Sequence, residues 1–158
     1  MPKKKPNHYI NNSDFFEKLM EWKKQVNEAR AVGEKPPPIT SYIGECFLDI
    51  AKNLAKKPNF VNYPFKDDMI GDAVENCLMY CENFNPEKSQ NPFSYFTQIT
   101  YFAFLRRIQK EKKQNLIKFK KLKSLDTKGD LNEYFKMMGF TEDEIEYYDK
   151  LDEEKIEE

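Results

Sequence analysis

Between Phe93 and Lys113 the chain sets rings and fixed cations side by side. Phe93, Tyr95, Phe96, Tyr101, Phe102 and Phe104 run directly into Arg106, Arg107, Lys110, Lys112 and Lys113. Aromatic faces accept unstacked bases, each stack contributing about 1–3 kcal/mol. Arginine and lysine neutralise backbone phosphates. The chemistry on offer is capture of opened nucleic acid, with no covalent bond made or broken. A basic helix alone is a common solvated face; the aromatic turn ahead of it gives the pattern its meaning.

Other chemistries lack their residues. His8 is the single histidine and lies in a polar N-terminal stretch, where a solvated side chain is the ordinary reading. Cys46, Cys77 and Cys81 have neither the number nor the spacing of a disulfide framework, and with no CxxC they do not make a zinc site. There is no GxxxxGK[ST] or GxGxxG loop and no nucleophile–base pair. A binding protein is therefore expected rather than an enzyme, with no cofactor and no metal. No run approaches the ~18 apolar residues of a membrane span. Met1–Pro6 has basic residues without an apolar stretch behind them, so no signal peptide is expected, and the chain reads as cytosolic.

Net charge over 158 residues is -1, which on its face argues against nucleic acid. The balance is a cancellation. Residues 106–128 hold ten basic and two acidic side chains, net +8, and residues 130–158 hold twelve acids and three lysines, net -9. A neutral core thus precedes a basic helix end and an acidic tail, and the tail is placed to mask the basic segment.

Helical periodicity positions these groups. Ser13 or Asp14 is expected to cap a helix to about Val32, with Phe15, Leu19, Trp22 and Val26 inward and Gly33 ending it. Pro36–Pro38 is a stiff linker. Thr40 or Ser41 caps a second helix carrying Ile43, Phe47, Ile50 and Leu54, ended by Pro58. A third runs from about Lys66 to about Phe84, with Asp67 and Asp68 in its first turn. Asn85–Lys88 is a turn. Asn91–Pro92 opens a long helix to about Lys123 that is apolar on nearly every side through Ile108. For any single ring of that stretch, burial by neighbouring helices is an equal reading. Asp130 is expected to cap a short helix to Met138, and Thr141–Glu144 resembles a capping box. The class is all-α, with an N-terminal tail at 1–12, a helical domain at 13–125 and an acidic tail, helical or disordered, at 126–158.

Several of these segments resemble conserved region two of bacterial sigma factors. They are Asp67-Asp68-Met69-Ile70-Gly71-Asp72-Ala73, Phe84-Asn85-Pro86-Glu87-Lys88, Phe93-Ser94-Tyr95-Phe96 and Arg106-Arg107. The closer resemblance is to the late-transcription sigma factors of T-even-type bacteriophages. It is carried by Tyr9-Ile10-Asn11-Asn12, Trp22-Lys23 and Asn91-Pro92-Phe93-Ser94-Tyr95-Phe96-Thr97-Gln98. It covers roughly residues 8 to 120.

The resemblance implies a sigma region-two-like helical bundle working in the cytoplasm of an infected bacterial host. Asp67, Asp68, Asp72, Glu75 and Asn76 would bind the clamp coiled coil of core RNA polymerase. The helix matching Phe93–Arg107 would read and melt an AT-rich -10-like element of promoter DNA. There Phe96 corresponds to the ring that stacks on a flipped base, with Tyr95 and Gln98 beside it. Arg106, Arg107, Lys110 and Lys113 would contact phosphates. The tryptophan pair of many sigma factors falls on Ile99 and Thr100, followed by Tyr101 and Phe102, and their base-reading glutamine falls on Ala103. No second basic helix-turn-helix follows residue 125. In the phage family a coactivator supplies upstream contact and the C-terminus binds the DNA sliding clamp; Ile145, Tyr147, Tyr148 and Leu151 stand where that contact would be. Two other readings of the residues remain open: a helical nucleic-acid-binding module that acts without polymerase, and a helical adaptor whose rings are all core.

Overall fold

A computed structural model describes residues 9–125, 135–136 and 140–156. The expected cap at Asp130 and its helix to Met138 fall mostly outside these residues. The fold is all-helical, and no strand occurs among the described residues. The chain divides into two compact units, Met1–Ile108 and Gln109–Glu158, each described by itself. The division falls inside the long helix, after Ile108.

In the first unit α1 spans Asn12–Ala31 and buries Phe15, Leu19, Trp22 and Val26, the stripe its periodicity predicts. Its cap is Asn11, in place of the expected Ser13 or Asp14. The Asn11 carboxamide oxygen accepts from the Ser13 and Asp14 amides at 3.1 and 3.2 Å. At the other end Gly33 adopts φ +74, a left-handed conformation cheap only for glycine. Gly33 N donates to Arg30 O and Glu34 N to Ala29 O, satisfying the last carbonyls in a Schellman arrangement. The proline linker then crosses α1, where the Trp22 indole N–H is shared between the carbonyls of Pro37 and Pro38 at 3.2 and 3.1 Å.

Helix α2, Ser41–Ala55, starts where Thr40 Oγ1 accepts from the Ile43 amide. It buries Ile43, Phe47 and Ile50. Helix α3, Lys66–Tyr80, buries Met69, Ala73 and Cys77, and a 3-10 turn at Cys81–Asn83 prolongs it almost to the expected end. Asn85 closes the following turn, its carbonyl accepting from Lys88 and its side chain from Glu87. Helix α4, Pro92–Leu125, begins at the expected proline. Asn91 Oδ1 accepts from Ser94 N at 3.0 Å. A second donor, Phe93 N, is satisfied by Asn12 Oδ1 at 3.1 Å, while Asn12 Nδ2 donates to Asn91. The paired asparagines Asn11 and Asn12 therefore cap two different helices.

Burial in this unit forms two clusters. Phe15, Leu19, Phe47, Phe84 and Phe96 centre the first, with Cys46, Cys77 and Cys81 in its walls. The second joins Phe60, Met69, Phe104 and Ile108 across Ala51, Ala55, Ala73 and Ala103. Those alanines present little bulk, and α2 and α3 approach closely.

In the second unit α5, Glu142–Ile156, opens on a reciprocal capping box. Glu144 N donates to Thr141 Oγ1 at 3.2 Å, and Thr141 N donates to the Glu144 carboxylate at 2.9 Å. Ile145 and Tyr148 of α5 pack with Phe119 of α4 and with Phe135. The Phe119 and Phe135 rings stack at 4.3 Å.

Candidate functional site

Helices α3 and α4 lie antiparallel, as their contacts show. Tyr95 meets Tyr80, Thr100 meets Cys77, Arg106 meets Asn76 and Arg107 meets Asp72. The α4 side of this pair decides which rings face solvent and which belong to the core.

Phe96 belongs to the core. It is 0% exposed, with its ring 4.6 Å from Phe47 and 5.6 Å from Phe15. The expectation that Phe96 stacks on a flipped base is corrected: its face of α4 turns toward α1 and α2, and no base reaches it. Tyr95 is half-buried, edge-on to Phe84, and its hydroxyl donates to the Tyr80 carbonyl at 3.4 Å. Burial, helped by the nearby Cys81 and Cys77 thiols, holds its phenol above the ordinary value. Ile99 packs against the first cluster and Thr100 is buried, its hydroxyl donating to the Phe96 carbonyl. Gln98 is exposed.

Two rings of α4 do face solvent. Tyr101 is 39% and Phe102 47% exposed, edge-to-face at 5.7 Å. Arg106, one turn beyond Phe102, is exposed and gives one N–H to Asn76 Oδ1 at 3.1 Å, leaving other donors turned outward. Arg107 is different. Its Nε and Nη2 grip the two oxygens of Asp72 at 2.5 and 2.7 Å. Its expected phosphate role is corrected to an interhelical clip, because a bidentate carboxylate already occupies the fork a phosphate would need.

The same pair changes the reading of α3. Asp72 and Asn76, expected on an outward binding face, are partly buried and turned to α4. Asp67, Asp68 and Glu75 stay exposed. Sequence reasoning missed two members of this outward face. Leu78 is 46% and Met79 63% exposed, and a Cβ placed on Gly71 meets nothing within 4 Å. The signal was present: adjacent apolar residues about 100° apart do not both fit a stripe centred on Ala73 and Cys77. The outward side of α3 is thus acidic at its start, bare at Gly71 and apolar near its end.

In the second unit Lys110 and Lys113 are exposed. By helical spacing they share a side of α4 with Ile117, which is 55% exposed, away from the buried Phe119. Helix α5 packs on the Phe119 side of α4, away from Lys110 and Lys113. Of the expected clamp contact, Ile145 and Tyr148 are 6% and 2% exposed. They are corrected to core, since the ring of Phe119 occupies the face they would offer. Tyr147 is exposed, and the side chain of Leu151 lies outside the described residues.

Burial holds the thiols of Cys46 and Cys77 up to about 11 and that of Cys81 up to about 12, so none is a thiolate near neutral pH. Among the described residues no helix is long and apolar enough to cross a membrane. The first unit presents an acidic and apolar face on α3, and on α4 an exposed ring pair ahead of an arginine. No protein-family model matches the chain, and no curated protein matches its sequence.

Proposed function

We propose that the chain is a sigma-type transcription factor of a T-even-like bacteriophage, which binds host core RNA polymerase and opens an AT-rich -10-like promoter element. The observation that carries the reading is the division of labour between adjacent helices. Helix α3 turns Asp67, Asp68 and Glu75 outward with Leu78 and Met79, a face suited to a basic and apolar partner helix. Helix α4 leaves Tyr101 and Phe102 open, with Arg106 beyond them, a face suited to an unstacked strand. In this reading Tyr101 and Phe102 replace Phe96 as the base platform, and Lys110 and Lys113 add phosphate contacts. The chain does no covalent chemistry and needs no cofactor. It acts in the cytoplasm of the infected cell, with a coactivator and the sliding clamp as further partners.

The test is a pull-down against bacterial core RNA polymerase, followed by transcription from an AT-rich late-type promoter. Core binding abolished by Glu75→Arg, with unchanged circular dichroism, supports the reading. A chain that never binds core polymerase overturns it. A second reading, a nucleic-acid-binding module needing no polymerase, is favoured by the exposed Lys110 and Lys113; tight binding to promoter-free duplex without core is its signature.

A further inference from the structure

We propose that the loop between α2 and α3 is a second wall of the strand-binding surface, with Lys56 and Lys57 holding the backbone of single-stranded DNA whose base lies on Tyr101. The proposal rests on the reading that α4 captures an opened strand. Residues 50–66 carry Lys52, Lys56, Lys57 and Lys66 and no acid. One lysine near the end of a helix is accounted for by the helix dipole. Two adjacent lysines just past the end of α2, with Asp49 and Asp67 as the nearest acids in sequence, are not. On α1 the comparable outward lysines are balanced, Lys18 by Glu21 and Lys24 by Glu28. Lys56 and Lys57 are exposed and lie in no ion pair among the described residues.

The loop's geometry ties this charge to the rings. The amides of Phe60 and Val61 both donate to the Lys57 carbonyl, at 2.9 and 3.0 Å, so a tight turn fixes Lys57 beside Phe60. Phe60 is 3% exposed and anchored on Phe104 at 5.2 Å. Its ring meets Tyr101 edge-on at 5.7 Å. Lys57, Phe60 and Tyr101 therefore form one supported chain of contacts. On the other side Tyr101 leans on Phe102, and Arg106 follows one turn later. The turn carrying Lys56 and Lys57 thus adjoins Tyr101 through Phe60, and Arg106 stands one turn beyond Phe102, so basic residues lie on both sides of the ring pair along the backbone, the arrangement a strand needs when its phosphates run on either side of a stacked base. A closed duplex keeps its base faces stacked inside, so the occupant is a single strand.

The experiment titrates the full chain with a fluorescently labelled AT-rich single-stranded DNA across a sodium chloride series, read by anisotropy. Lys56→Gln with Lys57→Gln is expected to reduce the slope of log affinity against log salt by about 1.4, at about 0.7 per lost phosphate contact. Tyr101→Ala is expected to weaken binding about tenfold with the slope unchanged. Both variants should keep the wild-type circular dichroism. An unchanged slope in the lysine variant, alongside weaker binding by Tyr101→Ala, overturns the loop's role and leaves the sigma reading standing. A wild-type chain that binds no single strand, alone or with core polymerase, also overturns the proposal. Failure to bind core polymerase while the lysine effect persists overturns the polymerase reading alone.

Discussion

Asp72 of α3 receives both Nε and Nη2 of Arg107 from α4, joining two helices through residues 35 apart in sequence. With side chains 18% and 30% exposed, the pair lies between a surface ion pair and a buried one. Removing either partner takes this bidentate contact from a half-buried charge. We expect Asp72→Ala to cost about 2 kcal/mol in urea denaturation, and Arg107→Ala a similar amount. The double variant should cost less than the sum, because the partner left behind is then also gone. Additive losses would show that the pair is not a coupled clip. Loss of polymerase binding in an Asp72 variant is consequently a poor probe of docking, and Glu75 is the better position.

Phe96 and Phe102 are six residues apart on one helix and should behave oppositely. Phe96→Ala empties the space between Phe15, Phe47 and Phe84, so we expect a loss of about 3–5 kcal/mol. Phe102→Ala removes a half-exposed ring, so stability should change by less than about 1 kcal/mol while capture of opened promoter DNA falls. Thermal unfolding checks the first and permanganate reactivity of promoter thymines the second. A Phe96 variant of wild-type stability would contradict the packing described here.

The three buried thiols give the stability a pH dependence at the alkaline end. Their ordinary value is 9.0, and in the folded chain Cys77 is held at about 11 by burial. Below pH 9.0 both states keep the proton and the contribution is fully present. Above it the unfolded chain releases protons that the folded chain retains, so stability falls as pH rises toward about 11. We expect Tm to drop over that interval and Cys77→Ala to drop less steeply. Thiol-reactive dyes should label the native chain slowly until it unfolds. A Cys77→Ala variant with an unchanged pH slope would remove burial of the thiol as the cause.

Local rules reached the helices and their ends. The 3–4 spacing of Phe15, Leu19, Trp22 and Val26 gives α1 its buried side, and Asn91–Pro92 and the Thr141 box give two helix starts. The cap of α1 was misplaced by two or three residues because Asn11, Ser13 and Asp14 are near-equal caps; backbone direction before the helix decided among them. The orientation of α4 was beyond such rules. Phe93 to Ile108 is apolar on nearly every side, and only the placement of α1, α2 and α3 around it determines that Phe96 faces inward and Tyr101 and Phe102 outward. The Asp72–Arg107 clip was illegible for the same reason. Both residues look like free surface charges until two helices are laid side by side.

Asn12 closes the amino end of α4 through a hydrogen bond spanning 81 residues, while Phe15 and Phe96 press together a turn further along. During synthesis α1 leaves the ribosome long before the last of the partners that cover its apolar stripe exists. Helix α2 and the proline linker cover part of the stripe early, but its Phe96 side stays open until α4 has been translated and released, and the loop then closed costs entropy that local contacts do not recover. Premature termination between α2 and Phe96 therefore yields a chain with α1 only partly covered and prone to aggregate, and slow decoding just after α3 would prolong that exposure.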